Sequence, residues 1–305
     1  LSSAASDVYK RQPLLNARIK VMSNLDIAER RIPQDGRMSL KLGEKWVDIR
    51  VSTLPSSFGE RLVLRLLDKA DASLDLEELG MTSEMTKDYL QQLKSTSGII
   101  LVTGPTGSGK TTTLYSGLNF LNDQTRNILT VEDPIEYALE GVGQTQVNNK
   151  VGLSFSKGLR AILRQDPDVV MVGEIRDKET AETAIQASLT GHLVLSTIHT
   201  NDSVGAITRL IDMGVEPYLL ASTLKMVIAQ RLVRKLTNKN EFSGRVGIFE
   251  MIKIDSDIRN FINETIDEDK IRKVAFKKYN SLLDDGEEKV KKGITSELEI
   301  KRVLK

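Results

Sequence analysis

Residues 104–110 have the types and the spacing of a phosphate-binding turn. With the next residue they read GPTGSGKT and match the pattern G-x-x-x-x-G-K-[ST], with Gly104, Gly109, Lys110 and Thr111 in register. Glycines allow positive φ and let the backbone approach a ligand closely, because no Cβ is in the way. The N–H groups of such a turn, and the following helix N-terminus, attract anions. The pattern assigns Lys110 to the β- and γ-phosphates and the Thr111 hydroxyl to Mg²⁺.

The sequence supplies the strand and the helix that this turn needs on either side. The apolar run at 99–103 predicts a buried strand, and a helix is predicted from Thr111. A site for a nucleoside triphosphate with Mg²⁺ is therefore expected at the turn. Its predicted binding residues are Gly104, Pro105, Thr106, Gly107, Ser108, Gly109, Lys110, Thr111 and Thr112.

Polar residues follow three further predicted strands, at 127–131, 168–172 and 193–198. The carboxyl ends of parallel strands meet at one edge of a sheet, so these residues are expected near the turn. Carboxylates there can hold Mg²⁺ through water and orient or deprotonate an attacking water, and an imidazole can sense the γ-phosphate. The candidates are Glu132, Glu136, Glu174 and His199. Each acidic position alone could be a helix N-cap, as Asp202 is expected to be for the helix 203–213.

Strand and helix patterns alternate through this part of the chain, which predicts an α/β fold with a parallel sheet covered on both faces. The further predicted helices lie at 111–122, 154–165, 178–189 and 203–213. After Glu216 the pattern predicts helix over 219–236, then a short strand in GRVGIFEM and a charged helical tail to Lys305.

The N-terminal part has a different pattern. Residues 1–12 have no periodicity and are interpreted as a non-native or disordered tail. Helical spacing follows from Leu14, and two alternating runs then meet at a hairpin turn, Gly43-Glu44. We expect a small α+β domain that lacks an opening strand. The predicted segments are 1–12 (tail), 13–68 (partial domain), 69–97 (linker and helix), 98–236 (nucleotide-binding core) and 237–305 (helical region).

Arginines of the partial domain are candidates for a charge supplied to a neighbouring copy. Phosphoryl transfer commonly needs an added cation to stabilise its transition state. A cation from a second subunit would couple hydrolysis to assembly. The candidates are Arg37, Arg50, Arg61 and Arg65.

Composition narrows the class of protein. The 305 residues contain no cysteine, which excludes disulfides, thiolate metal sites and cysteine catalysis. A net charge of +1, from 43 basic and 42 acidic residues, gives no global field that would favour nucleic acid. There is no signal peptide and no apolar run of about 20 residues, so a cytoplasmic chain with peripheral membrane contact is expected.

Six stretches, in this order, resemble the secretion ATPase superfamily of type II secretion and type IV pilus motors. The likeness runs from about Leu14 to Met251. RIPQDGR and RVSTLPSSFGERLVLRLL resemble its second N-terminal domain, which is PAS-like, and GPTGSGKTTTLY its Walker A motif. ILTVEDPIEY resembles its Asp box, LRQDPDVVMVGEIRD its atypical Walker B motif and TGHLVLSTIHTNDSVGAITRL its His box.

The resemblance implies a RecA-like P-loop core in a hexameric cytoplasmic ATPase that drives pilus or pseudopilus assembly through an inner-membrane platform protein. It also implies roles for single residues. Lys110 and Thr111 would bind phosphate and Mg²⁺. Glu136 is the candidate for polarising water, with Glu132 nearer the metal. Glu174 would support Mg²⁺ or the water, and His199 would contact the γ-phosphate region. The base remains open between the three glutamates.

One departure from the family concerns zinc. Assembly-type members usually carry a four-cysteine zinc module between the equivalents of Leu236 and Gly244. Here that stretch is TNKNEFS, so no zinc is expected. The family's N-terminal targeting domains are not found in this sequence either.

Other functions remain as alternatives: a DNA-uptake pilus ATPase, a nucleic-acid translocase, or a nucleotide-gated structural subunit with little turnover. The near-zero net charge and the lack of an aromatic-basic groove weigh against direct nucleic-acid binding.

Overall fold

The structure, a computed structural model, describes residues 3–43, 45–57, 59–67, 75–237, 241–264 and 267–304. The chain divides into two compact units, Leu1–Ala72 and Ser73–Lys305. Each unit encloses a hydrophobic core of its own.

The N-terminal unit is one helix and a three-stranded antiparallel sheet in the order β1-β2-β3. Its elements are α1 (Ser3–Met22), β1 (Gln34–Leu42), β2 (Lys45–Ser56) and β3 (Gly59–Leu67). Alternation along the strands turns Met38, Ile49 and Val51 toward Ile19 of α1, and these four side chains form the core. Gly43, with φ of 62°, stands in the predicted turn between β1 and β2, while Glu44 lies outside the described residues.

Helix α1 differs from the prediction because it begins at Ser3, inside the segment 1–12 that was expected to form a tail. Alanine, lysine, arginine and glutamine in this segment are good helix formers. Extending an existing helix costs far less than nucleating one, so these residues continue the helix without an apolar stripe.

The C-terminal unit is built on a seven-stranded sheet in the order β10-β9-β4-β8-β7-β5-β6. All neighbouring pairs are parallel except β9 and β10. This is the predicted α/β architecture. The strands are β4 (Gly98–Thr103), β5 (Ile128–Glu132), β6 (Gly143–Gln146), β7 (Val169–Val172), β8 (Leu193–Ile198), β9 (Leu224–Leu236) and β10 (Phe242–Lys253).

Helices cover both faces of this sheet, and a separate apolar cluster lies under each face. They are α2 (Ser83–Leu93), α3 (Lys110–Leu121), α4 (Phe155–Ile162), α5 (Lys178–Leu189), α6 (Ser203–Asp212), α7 (Pro217–Thr223), α8 (Ser256–Glu264), α9 (Glu268–Ala275), α10 (Leu282–Lys291) and α11 (Glu297–Val303). The last four form the predicted helical C-terminal region. None of the described helices is long and apolar enough to cross a membrane.

The prediction of helix over 219–236 was wrong. A short helix, α7, ends at Thr223, and the chain then runs as β9 between β4 and β10. A central strand is buried on both faces, so it lacks the alternation that identifies a half-exposed strand. Strand β6 was not predicted because Gly143–Gln146 is a short, mostly polar edge strand without an apolar run to identify it.

Burial at the centre of the sheet predicts which side chains of the C-terminal unit cannot be shortened without a loss of stability. Leu101 of β4 is fully buried, whereas Leu298 of α11 is 79% exposed. We expect Leu101→Ala to lower the free energy of unfolding by about 2–5 kcal/mol, because it removes packed methyl groups and leaves a cavity. Leu298→Ala is the matched control, with a change within about 0.5 kcal/mol. Urea unfolding of both variants measures the difference, and equal losses would contradict the packing described here.

Candidate functional site

The phosphate turn, residues 104–110, connects the end of β4 to the start of α3. Its three glycines, Gly104, Gly107 and Gly109, have φ of 145°, 80° and 88°, which side chains rarely adopt. A Cβ on Gly104 would lie 2.5 Å from the Gln230 carbonyl oxygen, and one on Gly109 would lie 2.7 Å from Gln230 Nε2. A Cβ on Gly107 would meet nothing within 4 Å. The turn therefore faces open space on one side and β9 on the other.

Lys110 lies folded over this turn. Its Nζ donates to the Gly104 and Pro105 carbonyl oxygens at 2.9 and 3.0 Å. Burial lowers the pKa of Lys110, and the negative charge of Glu174 opposes that shift. Thr111 is exposed in the first turn of α3, next to the buried lysine.

The carboxyl ends of the central strands meet at this edge, as the sequence predicts. Thr103 of β4 pairs with Ile198 of β8, and Ser196 of β8 pairs with Val172 of β7. Loops that follow these strands therefore begin side by side.

Glu174 and His199 come together in these loops. The Glu174 carboxylate lies 3.5 Å from His199 Nε2 and 2.5 Å from the Arg176 guanidinium. Burial and the positive charge of Lys110 lower the pKa of His199, while Glu174 opposes the shift. The imidazole is therefore neutral near pH 7, and Lys110, Glu174 and His199 form one electrostatic cluster beside the phosphate turn.

Two threonines fix the loop that carries His199. The Thr103 hydroxyl lies 2.7 Å from the Thr200 hydroxyl, and the Thr200 N–H donates to Thr103 Oγ1 at 2.9 Å. Asp202 then caps α6 by accepting from the Gly205 N–H at 2.8 Å, as predicted. The loop is held at both ends, which keeps the imidazole near the turn.

Glu132, the last residue of β5, is only 3% exposed. Its carboxylate accepts from the hydroxyls of Tyr115 and Thr130 and from Gln144 Nε2. Both of its oxygens are thus engaged by buried or half-buried side chains. This arrangement favours a role in holding the structure over the metal contact predicted for Glu132.

Glu136 stands four residues further on and is half-buried. Within the described part of the chain, no hydrogen bond or ion pair engages its carboxylate. It is the one of the three glutamates whose carboxylate has no such partner there.

The residues present fit a magnesium nucleotide. Across the described ranges, no three or more acidic or histidine side chains form a group that could hold a metal ion. Mg²⁺ does not need such a cage, since it usually keeps several waters and binds one or two protein groups plus phosphate oxygens. The Thr111 hydroxyl and the Glu174 carboxylate are oxygen donors of that kind, and the glycine turn leaves open space for phosphate beside them.

The four candidate arginines belong to the N-terminal unit and share one face of its sheet. Arg37 pairs directly with Arg50, which pairs directly with Arg65, so three arginines occupy neighbouring positions across the strands. Arg61 lies further along β3, opposite Leu54. Like charges directly opposite each other destabilise a sheet, so the exposed pair Arg50 and Arg65 is suited to meeting an anion.

Sequence reasoning missed the contribution of β9. Gln230 borders the turn glycines and also accepts from the Thr113 hydroxyl at 2.7 Å. Next to it, Arg231 is only 8% exposed and donates to the Asn201 carbonyl oxygen at 2.8 Å. The signal was present, because two adjacent polar residues inside the apolar run LKMVIAQRL indicate a buried polar contact.

The charges of Glu174 and Lys110 predict that removing one or the other will shift the pKa of His199 in opposite directions. We expect its pKa to lie below 6.5, to fall further in Glu174→Gln and to rise in Lys110→Met, because the carboxylate favours imidazolium and the ammonium disfavours it. A histidine whose folded pKa is lowered contributes stability above pH 6.5 that is lost as the pH falls through that folded value.

The measurement is an NMR pH titration, which is simple because the chain has two histidines. Glu179→Gln is the control, since that exposed carboxylate pairs with Arg160. A wild-type His199 pKa above 6.5, or shifts of the same sign in both variants, would contradict the geometry.

Known proteins resemble this chain in sequence and in fold. The chain is 54% identical to type II secretion system protein E of Pseudomonas aeruginosa over 96% of its length, and 52% identical to type II secretion system ATPase E of Vibrio cholerae over 97%. It spans 65% and 66% of the length of these two relatives.

Solved structures share the architecture. The pilus retraction motor PilT with bound ADP superimposes with a TM-score of 0.74 at 32% identity, covering 90% of this chain and 78% of that one. The Legionella pneumophila ATPase DotB gives 0.74 at 26% identity, with 90% and 77% covered. The family model described as type II/IV secretion system protein matches residues 2–302. The chain is therefore a member of the type II/IV secretion system protein family.

Proposed function

We propose that this chain hydrolyses ATP and serves as a motor subunit that powers pseudopilus or pilus assembly, or protein export, in a type II secretion or type IV pilus system. The observation that carries the proposal is the gathering of Lys110, Glu174 and His199 at a glycine turn. The names of the relatives support it, since one is called a type II secretion system ATPase. The nucleotide is ATP with Mg²⁺.

In this proposal the phosphate turn and Lys110 bind the β- and γ-phosphates, and Thr111 with Glu174 holds Mg²⁺. The metal, when bound, neutralises charge that develops on the phosphate oxygens. Neutral His199 hydrogen-bonds near the γ-phosphate and is oriented by Glu174. The water oxygen bonds to the γ-phosphorus as the bond to the β-phosphate oxygen breaks, and a carboxylate takes the proton.

We assign that proton acceptor to Glu136. The Glu132 carboxylate is buried and accepts three hydrogen bonds, so it is a poor base. The Glu174 carboxylate lies beside Arg176 and His199, and in this proposal it holds Mg²⁺ and not the attacking water. The Glu136 carboxylate has no hydrogen-bond or ion-pair partner among the described residues, and it follows β5 at the edge where the site lies.

The wider assembly follows from the same family membership. We propose a homo-oligomer, a hexamer, that acts in the cytoplasm and contacts an inner-membrane platform protein. Arginines of one subunit's N-terminal unit would complete the site of the next, and the exposed, directly paired Arg50 and Arg65 are the best placed of the four candidates to meet its anionic nucleotide.

The first test is turnover of Mg·ATP by single variants. Glu136→Gln is expected to lower kcat by about 10²–10⁴-fold while ATP still binds, because only the proton acceptor is removed. Lys110→Met is expected to lose binding and turnover together. Lys178→Met, which removes an exposed lysine at the start of α5, is the control and keeps both.

Phosphate release and binding of a fluorescent ATP analogue separate these outcomes. No turnover by the wild type in its oligomeric form would contradict the proposal. Full turnover by Glu136→Gln would reassign the base.

The arginine row is tested by mixing two inactive variants. Arg50→Ala and Glu136→Gln are each expected to reduce turnover strongly, because each removes one half of a shared site. Mixed oligomers place an intact arginine next to an intact glutamate at some interfaces, so turnover should return to a fraction of the wild-type rate. Arg31→Ala, which removes an arginine whose side chain is 88% exposed, is the control and leaves turnover unchanged. If mixing restores nothing, or if Arg50→Ala is fully active alone, the arginines do not act between subunits.

A further inference from the structure

Glu132 lies at the centre of a buried polar network that no step of the proposed reaction uses. Besides the hydroxyls of Tyr115 and Thr130, its carboxylate accepts from Gln144 Nε2 at 3.0 Å. Tyr115 is fully buried on α3. Burial, reinforced by Glu132, raises the pKa of Tyr115, so the phenol stays protonated and remains a donor.

Such a carboxylate is costly to bury, and its hydrogen bonds are what make the position tolerable. Removing one donor would leave charge uncompensated in a dry site. The network is thus held in one arrangement, which is the property needed to fix a neighbouring segment.

The segment it fixes is the loop that carries Glu136. Gln144 also accepts from the Leu139 N–H at 2.8 Å and donates to the Tyr137 carbonyl oxygen at 3.2 Å. The Tyr137 ring packs edge-on against the Tyr115 ring, with centroids 4.5 Å apart. Glu136 is therefore bracketed by β5 on one side and by two anchored residues on the other.

The same network reaches the phosphate turn through α3. Tyr115 follows Lys110 by five residues on one continuous helix. A displacement of this helix at the nucleotide phosphates would therefore be carried directly to Tyr115.

We propose that Tyr115, Glu132 and Gln144 are positioning residues that connect the phosphate-binding helix to the Glu136 loop, and that Glu132 is not a metal ligand. The expected effect on kcat rests on the proposed function. The network and its effect on the Glu136 loop can be tested without measuring turnover.

The test uses Tyr115→Phe and Glu132→Gln in the 305-residue chain. Tyr115→Phe keeps the ring contact with Tyr137 and removes only the hydroxyl. Each variant is expected to lower kcat by about ten- to a hundredfold through misplacement of Glu136, with KM for ATP and half-saturating Mg²⁺ within about twofold of wild type. Because the two residues share one hydrogen bond, the double variant should be less impaired than the product of the single effects.

Tyr89→Phe is the matched control. Tyr89 is also fully buried and donates to α3, at the Thr113 carbonyl oxygen, but within the described residues no hydrogen bond joins its side chain to residues 133–142. It should therefore lose a buried hydrogen bond without a loss of kcat beyond about twofold. If Tyr89→Phe lost as much kcat as Tyr115→Phe, the effect would come from a general loss of stability and not from the network.

Hydrogen exchange of residues 133–142 gives a readout that does not need turnover. Exchange there should speed up in Tyr115→Phe and Glu132→Gln and stay unchanged in Tyr89→Phe. If the loop exchanges equally in all variants, the network does not hold it and the inference fails, whatever the enzyme activity.

If Glu132→Gln raised the half-saturating Mg²⁺ concentration about tenfold while Tyr115→Phe left it unchanged, Glu132 would be a metal ligand instead. A wild type without turnover but with the expected exchange pattern would overturn the proposed function and leave the network established.

Discussion

Strand β9 passes very close to the phosphate turn. A Cβ at Gly104 would lie 2.5 Å from the Gln230 carbonyl oxygen, and one at Gly109 would lie 2.7 Å from the Gln230 side-chain amide. This close approach sets the shape of the turn, because positive φ at these glycines directs the backbone around β9 and then into α3. The position of Lys110, and of everything that responds to its charge, depends on that contact.

The sequence predicted the elements that carry this edge and the residues that gather there. Strand β8 and helix α5 have the predicted bounds, and helix α3 is displaced by one residue from the predicted 111–122. These elements have strong local signals: glycine spacing, N-cap residues and short apolar runs. The proximity of Glu174 and His199 could be predicted from the sequence because parallel strands end at a common edge of the sheet. This rule needs no knowledge of side-chain positions.

The remainder could not be read from local pattern. β9 has helix-forming residues within its apolar run, and only its place between two strands makes it a strand. Glu132 and Glu136 both belong to one acidic loop in the sequence, and nothing local distinguishes them. Their difference comes from Gln144 on a polar edge strand and Tyr115 on a helix, residues distant in sequence from β5.

Hydrogen bonds and an ion pair connect the C-terminal helices to the segment that carries His199. Glu250 of β10 is buried and accepts from the Ser203 N–H at 2.8 Å and the Leu282 N–H at 3.3 Å, which joins the start of α6 to the start of α10. Burial raises the pKa of Glu250, which shows that these contacts are made against a desolvation penalty.

A second link joins α9 to the same place, since the Arg272 guanidinium lies 2.9 Å from the Asp202 carboxylate. Asp202 caps α6 three residues after His199, and Thr200 between them is bonded to the end of β4. The His199 loop therefore cannot shift without breaking contacts to the sheet, to α9 and to α10 together. These contacts couple movement of the C-terminal helices to the His199 loop, and the Thr208 hydroxyl adds a further link between α6 and α9 through Glu268.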